Sequence, residues 1–286
     1  MKKQLLAAAV AATMTSVAMA DISITGSTKA NVLDGVSSIE ADLKITGKSG
    51  DSSLVANIAL DNGVDTDGNS GDMVEDLYVT TSFEGVKVKV GTYRSGASEL
   101  DQTDSTPSAR YNLSTTMGGI TVAYEAKAAT HDLTLGGTVA GVSVKHKMKN
   151  NDDSETWVSG SFGGVNASWN QEHTDSGDKD DTAITVSTEM NGVTATYVQL
   201  DTDTAQKSDG YVGKFTTTAG GEASAFGLST AVAGNTVTFK MIEIDSVDSN
   251  KVILNRVLGN GATFEATYTD NDTANDTLDF ELAVKF

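Results

Sequence analysis

The ten residues from Thr277 to Phe286 read TLDFELAVKF, with Leu278, Phe280, Leu282, Val284 and Phe286 on one face and Asp279, Glu281 and Lys285 on the other. A strict period of two belongs to an extended strand lying between two different media. The same division recurs upstream. Val86, Val88 and Val90 alternate with Lys87 and Lys89; Ile120, Val122 and Tyr124 with Thr121, Ala123 and Glu125; Val142 and Val144 with Lys145 and Lys147. Alternation alone leaves two solutions open. In a soluble sandwich the apolar rows face a core and the charged rows face bulk water. In a membrane barrel the apolar rows face lipid, where a mid-strand lysine would cost about 2–4 kcal/mol, so the charged rows must enclose water.

The spacing of the strands favours the barrel. Alternating segments are expected at Ile22–Val32, Ser38–Gly47, Ser53–Leu60, Met73–Phe83, Val86–Thr92, Ala109–Thr116, Ile120–Lys127, His131–Val139 and Val142–Met148. They continue at Glu155–Phe162, Val165–Glu172, Thr182–Met190, Val193–Leu200, Glu222–Ala231, Thr236–Ile244, Lys251–Leu258, Ala262–Thr269 and Thr277–Phe286. Tight turn chemistry such as Glu84-Gly85, Ala140-Gly141, Asn191-Gly192 and Gly259-Asn260-Gly261 alternates with longer acidic connections. Short turns at one end and long loops at the other mark a barrel inserted in one direction. The expectation is therefore an all-β fold: a closed antiparallel transmembrane β-barrel of 18 strands, with 16 as the alternative count. Tyr211–Thr218 is assigned to a loop, because a further strand would make the number odd.

Export and composition agree with this. Lys2 and Lys3, the apolar run from Leu5 to Ala12 and the triplet Ala18-Met19-Ala20 form a secretory signal peptide over residues 1–20, leaving residues 21–286 as one barrel domain. The sequence has 28 Gly, one Pro and no Cys, so closure or oligomerisation rather than disulfides must stabilise an exported chain. Its net charge of -19 excludes nucleic acid as a partner. No enzyme is indicated: His131, His146 and His173 belong to no nucleophile or metal motif, and the paired carboxylates Asp152-Asp153 and Asp180-Asp181 are expected in loops with no apolar pocket around them.

Several stretches resemble the trimeric general diffusion porins of Gram-negative outer membranes, especially the short alphaproteobacterial ones. They are Val88-Lys89-Val90-Gly91, Ser108-Ala109-Arg110-Tyr111-Asn112, Gly119-Ile120-Thr121-Val122-Ala123-Tyr124, Ala225-Phe226-Gly227-Leu228-Ser229, Gly259-Asn260-Gly261-Ala262, Asp270-Asn271-Asp272 and the final LAVKF. The resemblance runs over nearly the whole mature chain. It implies an outer-membrane location, contact with outer-membrane lipid, a homotrimer, and a terminal Phe286 recognised by the outer-membrane assembly machinery. That family usually has about sixteen strands and a longer third loop, and this chain departs on both counts.

The resemblance also implies a constriction. Its third loop corresponds to residues 93–108, which carry Glu99, Asp101 and Asp104, while Arg94, Arg110, Lys29, Lys44, Lys87 and Lys89 supply basic groups facing the lumen. Opposed charges across a narrow gap orient solutes and set ion preference. The function expected is a water-filled channel for passive diffusion of small hydrophilic solutes and ions, with mild cation preference. A secreted all-β adhesin or structural protein and a plugged, non-conducting barrel are the alternatives. Asp61, Asp65, Asp67 and Asp72, with Asn62 and Asn69, offer oxygen ligands that suit Ca²⁺, although their spacing does not fit the helical calcium loop and a solvated acidic loop explains them better.

Overall fold

The computed structural model describes residues 21–33, 36–59, 74–94, 100, 107–128, 130–208, 211, 215–272 and 274–285. Residues 1–20, expected to be a leader, the acidic segment carrying Asp61, Asp65, Asp67 and Asp72, the carboxylates Glu99, Asp101 and Asp104, and Phe286 lie outside the described residues.

The strands are β1 (Asp21–Leu33), β2 (Val36–Ser49), β3 (Ser52–Ala59), β4 (Val74–Phe83), β5 (Val86–Tyr93), β6 (Ser108–Met117), β7 (Ile120–Lys127), β8 (Thr130–Val139), β9 (Val142–Lys149) and β10 (Ser154–Phe162). They continue as β11 (Val165–Thr174), β12 (Lys179–Met190), β13 (Val193–Thr202), β14 (Lys207–Ser208), β15 (Phe215–Thr216), β16 (Gly221–Val232), β17 (Asn235–Ile244), β18 (Val247–Gly259), β19 (Ala262–Asn271) and β20 (Thr277–Lys285). Among the described residues, 18 of them form one antiparallel sheet in which each neighbours the next, while β14 and β15 pair only with one another. The sheet closes: β1 pairs with β2 on one side and with β20 on the other, from Ser27↔Lys285 to Leu33↔Asp279. Every expected segment falls on a strand of this ring, and Tyr211 lies in the connection from β13 to β16 rather than in the wall. The count is eighteen, not sixteen.

One end of the ring is built from two-residue turns. At Glu84-Gly85, Ala140-Gly141, Asn191-Gly192, Ala233-Gly234 and Asn260-Gly261 both residues have positive φ, near 50° at the first and near 80° at the second. This is the type I′ geometry whose twist matches that of paired strands. The connections at the other end are longer on the whole, as expected, with three corrections. The links after β1, β7 and β17 are also two residues long. Asp245 and Ser246 take φ of 49° and 66°, so β18 begins at Val247, four residues before the expected Lys251. Asp180 and Asp181, expected in a loop, lie in β12, because the preceding turn needs only residues 175–178.

Pairing register fixes the two faces. Leu282 of β20, Ala30 of β1 and Ile39 of β2 share one cross-strand row, and the same face of the ring carries Val90, Leu113, Tyr124, Leu135, Val144, Tyr197, Phe226 and Leu254. On this outer face Leu282, Val90, Leu113, Leu135, Val144, Tyr197, Phe226 and Leu254 are exposed. The other face carries Lys29, Lys44, Lys87, Lys89, Arg110, Glu125 and Glu281 and looks into the lumen. Tyr124, Trp169, Tyr197, Tyr268 and Phe280 lie on the outer face, whereas Tyr78, Tyr93 and Trp157 share the inward rows of Lys89 and Lys145.

Candidate channel lining

The inner wall divides into stretches of different chemistry. At the root of the segment joining β5 to β6, Arg110 Nη1 donates to Glu125 Oε1 at 3.1 Å, and the Tyr93 hydroxyl and Asn112 amide donate to Glu125 Oε2 at 3.3 and 3.4 Å. The Lys89 ammonium lies 4.0 Å from the Tyr78 ring centroid and 3.7 Å from that of Tyr93, a two-sided cation–π seat. Arg94 forms an ion pair with Glu75, and its backbone N–H donates to Asp76 Oδ1 at 2.8 Å. Gly91 makes this packing possible. A Cβ there would stand 2.2 Å from the Leu77 carbonyl oxygen, a backbone atom that cannot move aside.

Around the ring, β8 to β11 carry a ladder of ion pairs. Lys147 reaches Asp132 at 3.2 Å and Glu155 at 3.8 Å; Lys149 reaches Glu155 at 2.6 Å and Glu172 at 2.5 Å. Lys145, below them, sits 3.4 Å from the Trp157 ring. These lysines follow one another at alternate positions of β9, so the period that makes the outer face apolar also stacks them on the inner face.

The third stretch is apolar, and alternation did not reveal it. Ala183, Val198, Leu200, Ala223, Ala225 and Ile242 point inward from β12, β13, β16 and β17 and are buried. Their cover is Leu100, only 1% exposed and a member of the same cluster. Leu100 belongs to the segment between β5 and β6, yet it packs on β13 and β16, half the ring away. Leu100 itself therefore stands across the lumen from the two strands that bracket it. The connection from β13 to β16 also turns inward. Tyr211 packs against the cluster, its hydroxyl fills the space where Gly227 lacks a side chain, and its backbone oxygen accepts from Lys240 Nζ at 2.7 Å. Burial raises the phenol of Tyr211 above its ordinary value, opposed by a hydrogen bond with Thr196. Asp181, 1% exposed, anchors this connection by accepting from the Thr204 N–H at 2.9 Å and from the Thr204 hydroxyl and Gln206 amide. A buried carboxylate must have such partners. Only its position beside the acidic run hinted at a role.

On the fourth stretch, β18 to β20 with β1 to β4, Lys29 reaches Glu281 at 3.7 Å and the Asn255 amide donates to Glu265 at 3.2 Å. Lys44 is exposed to the lumen here, as Lys87 is on β5. Of the basic residues expected at a constriction, Lys87, Lys89 and Arg110 stand on β5 and β6, the strands that bracket Leu100, Arg94 directly after β5, and Lys29 and Lys44 on the adjoining wall. Arg110 is buried and engaged with Glu125, and Lys89 with two tyrosines, so neither is a bare charge. Of the histidines, His146 lies in the outer apolar row, its Nδ1 2.9 Å from the Thr156 hydroxyl, and His173 pairs with Asp180 at 2.9 Å. Among the described residues no group of three His, Asp or Glu side chains could hold a metal ion.

Solved structures share this architecture. The chain superposes on Pseudomonas aeruginosa OccK3 (OpdO) with a TM-score of 0.67 and 10% identity, covering 94% of this chain and 96% of that one. For P. aeruginosa OpdK, solved with vanillate, the TM-score is 0.63 at 10% identity, covering 93% and 98%. For Acinetobacter baumannii OccAB2 it is 0.62 at 11% identity, again covering 93% and 98%. No protein-family model and no curated protein matches the sequence.

Proposed function

We propose that this chain forms a water-filled channel across the bacterial outer membrane and passes small hydrophilic solutes and ions by passive diffusion. The observation that carries this reading is the closed ring of 18 strands with an apolar outside and a charged inside. A continuous exposed apolar belt has no place in water, and a barrel of this strand number leaves an aqueous channel through its centre. Its structural neighbours, the OccD and OccK proteins, are outer-membrane porins, which supports the same location and class. The end with two-residue turns would face the periplasm and the end with longer acidic connections the exterior.

Within this reading residues 93–108 form the constriction. Glu99 and Asp101 flank Leu100 in the sequence, Asp104 follows, and together they would set a mild cation preference against Lys29, Lys44, Lys87, Lys89, Arg94 and Arg110. A homotrimer, delivery through the assembly machinery by way of Phe286, and Ca²⁺ held by Asp61, Asp65, Asp67 and Asp72 belong to the same proposal. The deciding experiment is conductance of the refolded protein in a planar bilayer. Stable steps are expected, with a reversal potential in a salt gradient displaced toward the cation side. A second reading is favoured by the inward seats of Leu100 and Tyr211, which fill part of the lumen: a plugged barrel. Bilayer insertion without steps would select it.

A further inference from the structure

One groove of the inner wall lies away from Leu100 and Tyr211, across the seam where β20, β1, β2, β3 and β4 meet. It has a volume of about 540 Å³ and is lined by Ser27, Asp42, Lys44, Asn57, Glu75 and Lys285. Its basic groups differ from those of the ion-pair ladder and of the Arg110 cluster. There Lys147, Lys149 and Arg110 are paired with carboxylates and Lys89 and Lys145 sit on aromatic rings, whereas Lys44 and Lys285 have no ion pair among the described residues. Asp42, two residues from Lys44 on the same face of β2, accepts only a long bond from the Ser27 hydroxyl, 3.4 Å at Oδ2. The Asn57 amide donates to Asp76 at 2.7 Å, which leaves its carbonyl oxygen as an acceptor. Register brings these groups together, since Lys44 pairs with Thr25 and Asn57, and Ser27 with both Asp42 and Lys285.

From this juxtaposition we infer that the groove is a binding step for small zwitterions, molecules carrying an ammonium and a carboxylate within a few bonds of each other. The carboxylate would lie between the Lys44 and Lys285 ammonium groups. The ammonium would meet Asp42 and the Asn57 oxygen, with Glu75, held by Arg94, adding negative field. An anion alone meets Asp42 and Glu75 as repulsion, and a cation alone meets two free lysines. A zwitterion satisfies both sets at once, and charged hydrogen bonds are the strong kind. The volume suits a solute of amino-acid to dipeptide size. Binding must stay weak if the molecule is to leave again, so the step would enrich such solutes in the lumen rather than hold them.

This inference rests on the channel reading, and one experiment separates the two. The full mature chain is reconstituted in planar bilayers, and small-ion current is recorded with L-alanine, propionate or isopropylammonium added at neutral pH. Alanine is expected to reduce the current at lower concentration than either singly charged analogue. Asp42→Asn and Lys44→Gln should each weaken the alanine effect roughly tenfold, the factor for one charged hydrogen bond. Propionate should lose its residual effect in Lys44→Gln and keep it in Asp42→Asn. Conductance steps in which alanine acts no better than propionate overturn the inference while leaving the channel in place, and so does an alanine effect unchanged by both substitutions. Complete absence of steps overturns the channel reading and the inference with it. Should a variant fail to insert, the comparison of the three solutes on the unaltered chain still decides.

Discussion

Leu100 is the residue on which the shape of the lumen turns. It closes an apolar cluster on the far wall from a segment rooted at β5 and β6. Replacing a buried leucine by a small residue typically costs about 2–5 kcal/mol, more than enough to release a single docked side chain. Leu100→Ser is therefore expected to free the segment without unfolding the ring, giving larger and noisier single-channel steps; an unchanged step size would place the docking outside the conduction path. Nothing local in the sequence announces this residue. It sits in RSGASELDQTDSTP, polar and without period, where no pattern separates an anchor from a stray leucine. Its receiving wall was hidden for the opposite reason. Around Tyr197, Val198 and Leu200 both faces of the strand are apolar, and two-fold alternation then says nothing about which one looks inward. The carboxylates Glu99, Asp101 and Asp104 were singled out for their charge, whereas the neighbour between them provides the observed contact.

At the level of strands and turns the sequence was far more legible, because each strand needs only its own period and each tight turn its own backbone chemistry. The exceptions are positions where a residue takes a conformation that its type disfavours. Ala140 and Ala233 hold φ of 50° at the first place of a type I′ turn, and Asp245 and Ser246 make a tight turn with no glycine at all. A side chain without a local hydrogen-bonding group costs about 1 kcal/mol or more in that region, which asparagine tolerates better. Ala140→Asn and Ala233→Asn should each stabilise the barrel by about 1 kcal/mol or less, read as a higher urea midpoint in detergent or vesicles with an unchanged slope. No gain from either would mean that the turns do not limit stability. The early start of β18 has the same origin: Asp-Ser does not read as a turn, so the strand was expected to begin at Lys251.

For the molecule as a whole, the decisive property is which face looks outward, and two adjacent positions of one strand test it. Val144 is on the outer face of β9 and Ser143 on the inner. Val144→Lys is expected to destabilise the membrane-inserted protein by about 2–4 kcal/mol, whereas Ser143→Lys, facing water beside Thr138, should be close to neutral in the same unfolding measurement. Equal effects would contradict the assignment of faces. Closure itself was legible only as an even strand count, since no local pattern states that the first and last strands pair. That seam has a consequence for biogenesis. β1 gains its second neighbour only from β20, so the earliest strand to leave the ribosome is among the last to be satisfied. Until β20 has been made it presents a bare edge of backbone donors and acceptors, the kind of template on which chains stick to one another. The polypeptide therefore has to be escorted unfolded until its final segment arrives, and premature termination anywhere upstream leaves a product with two sticky margins.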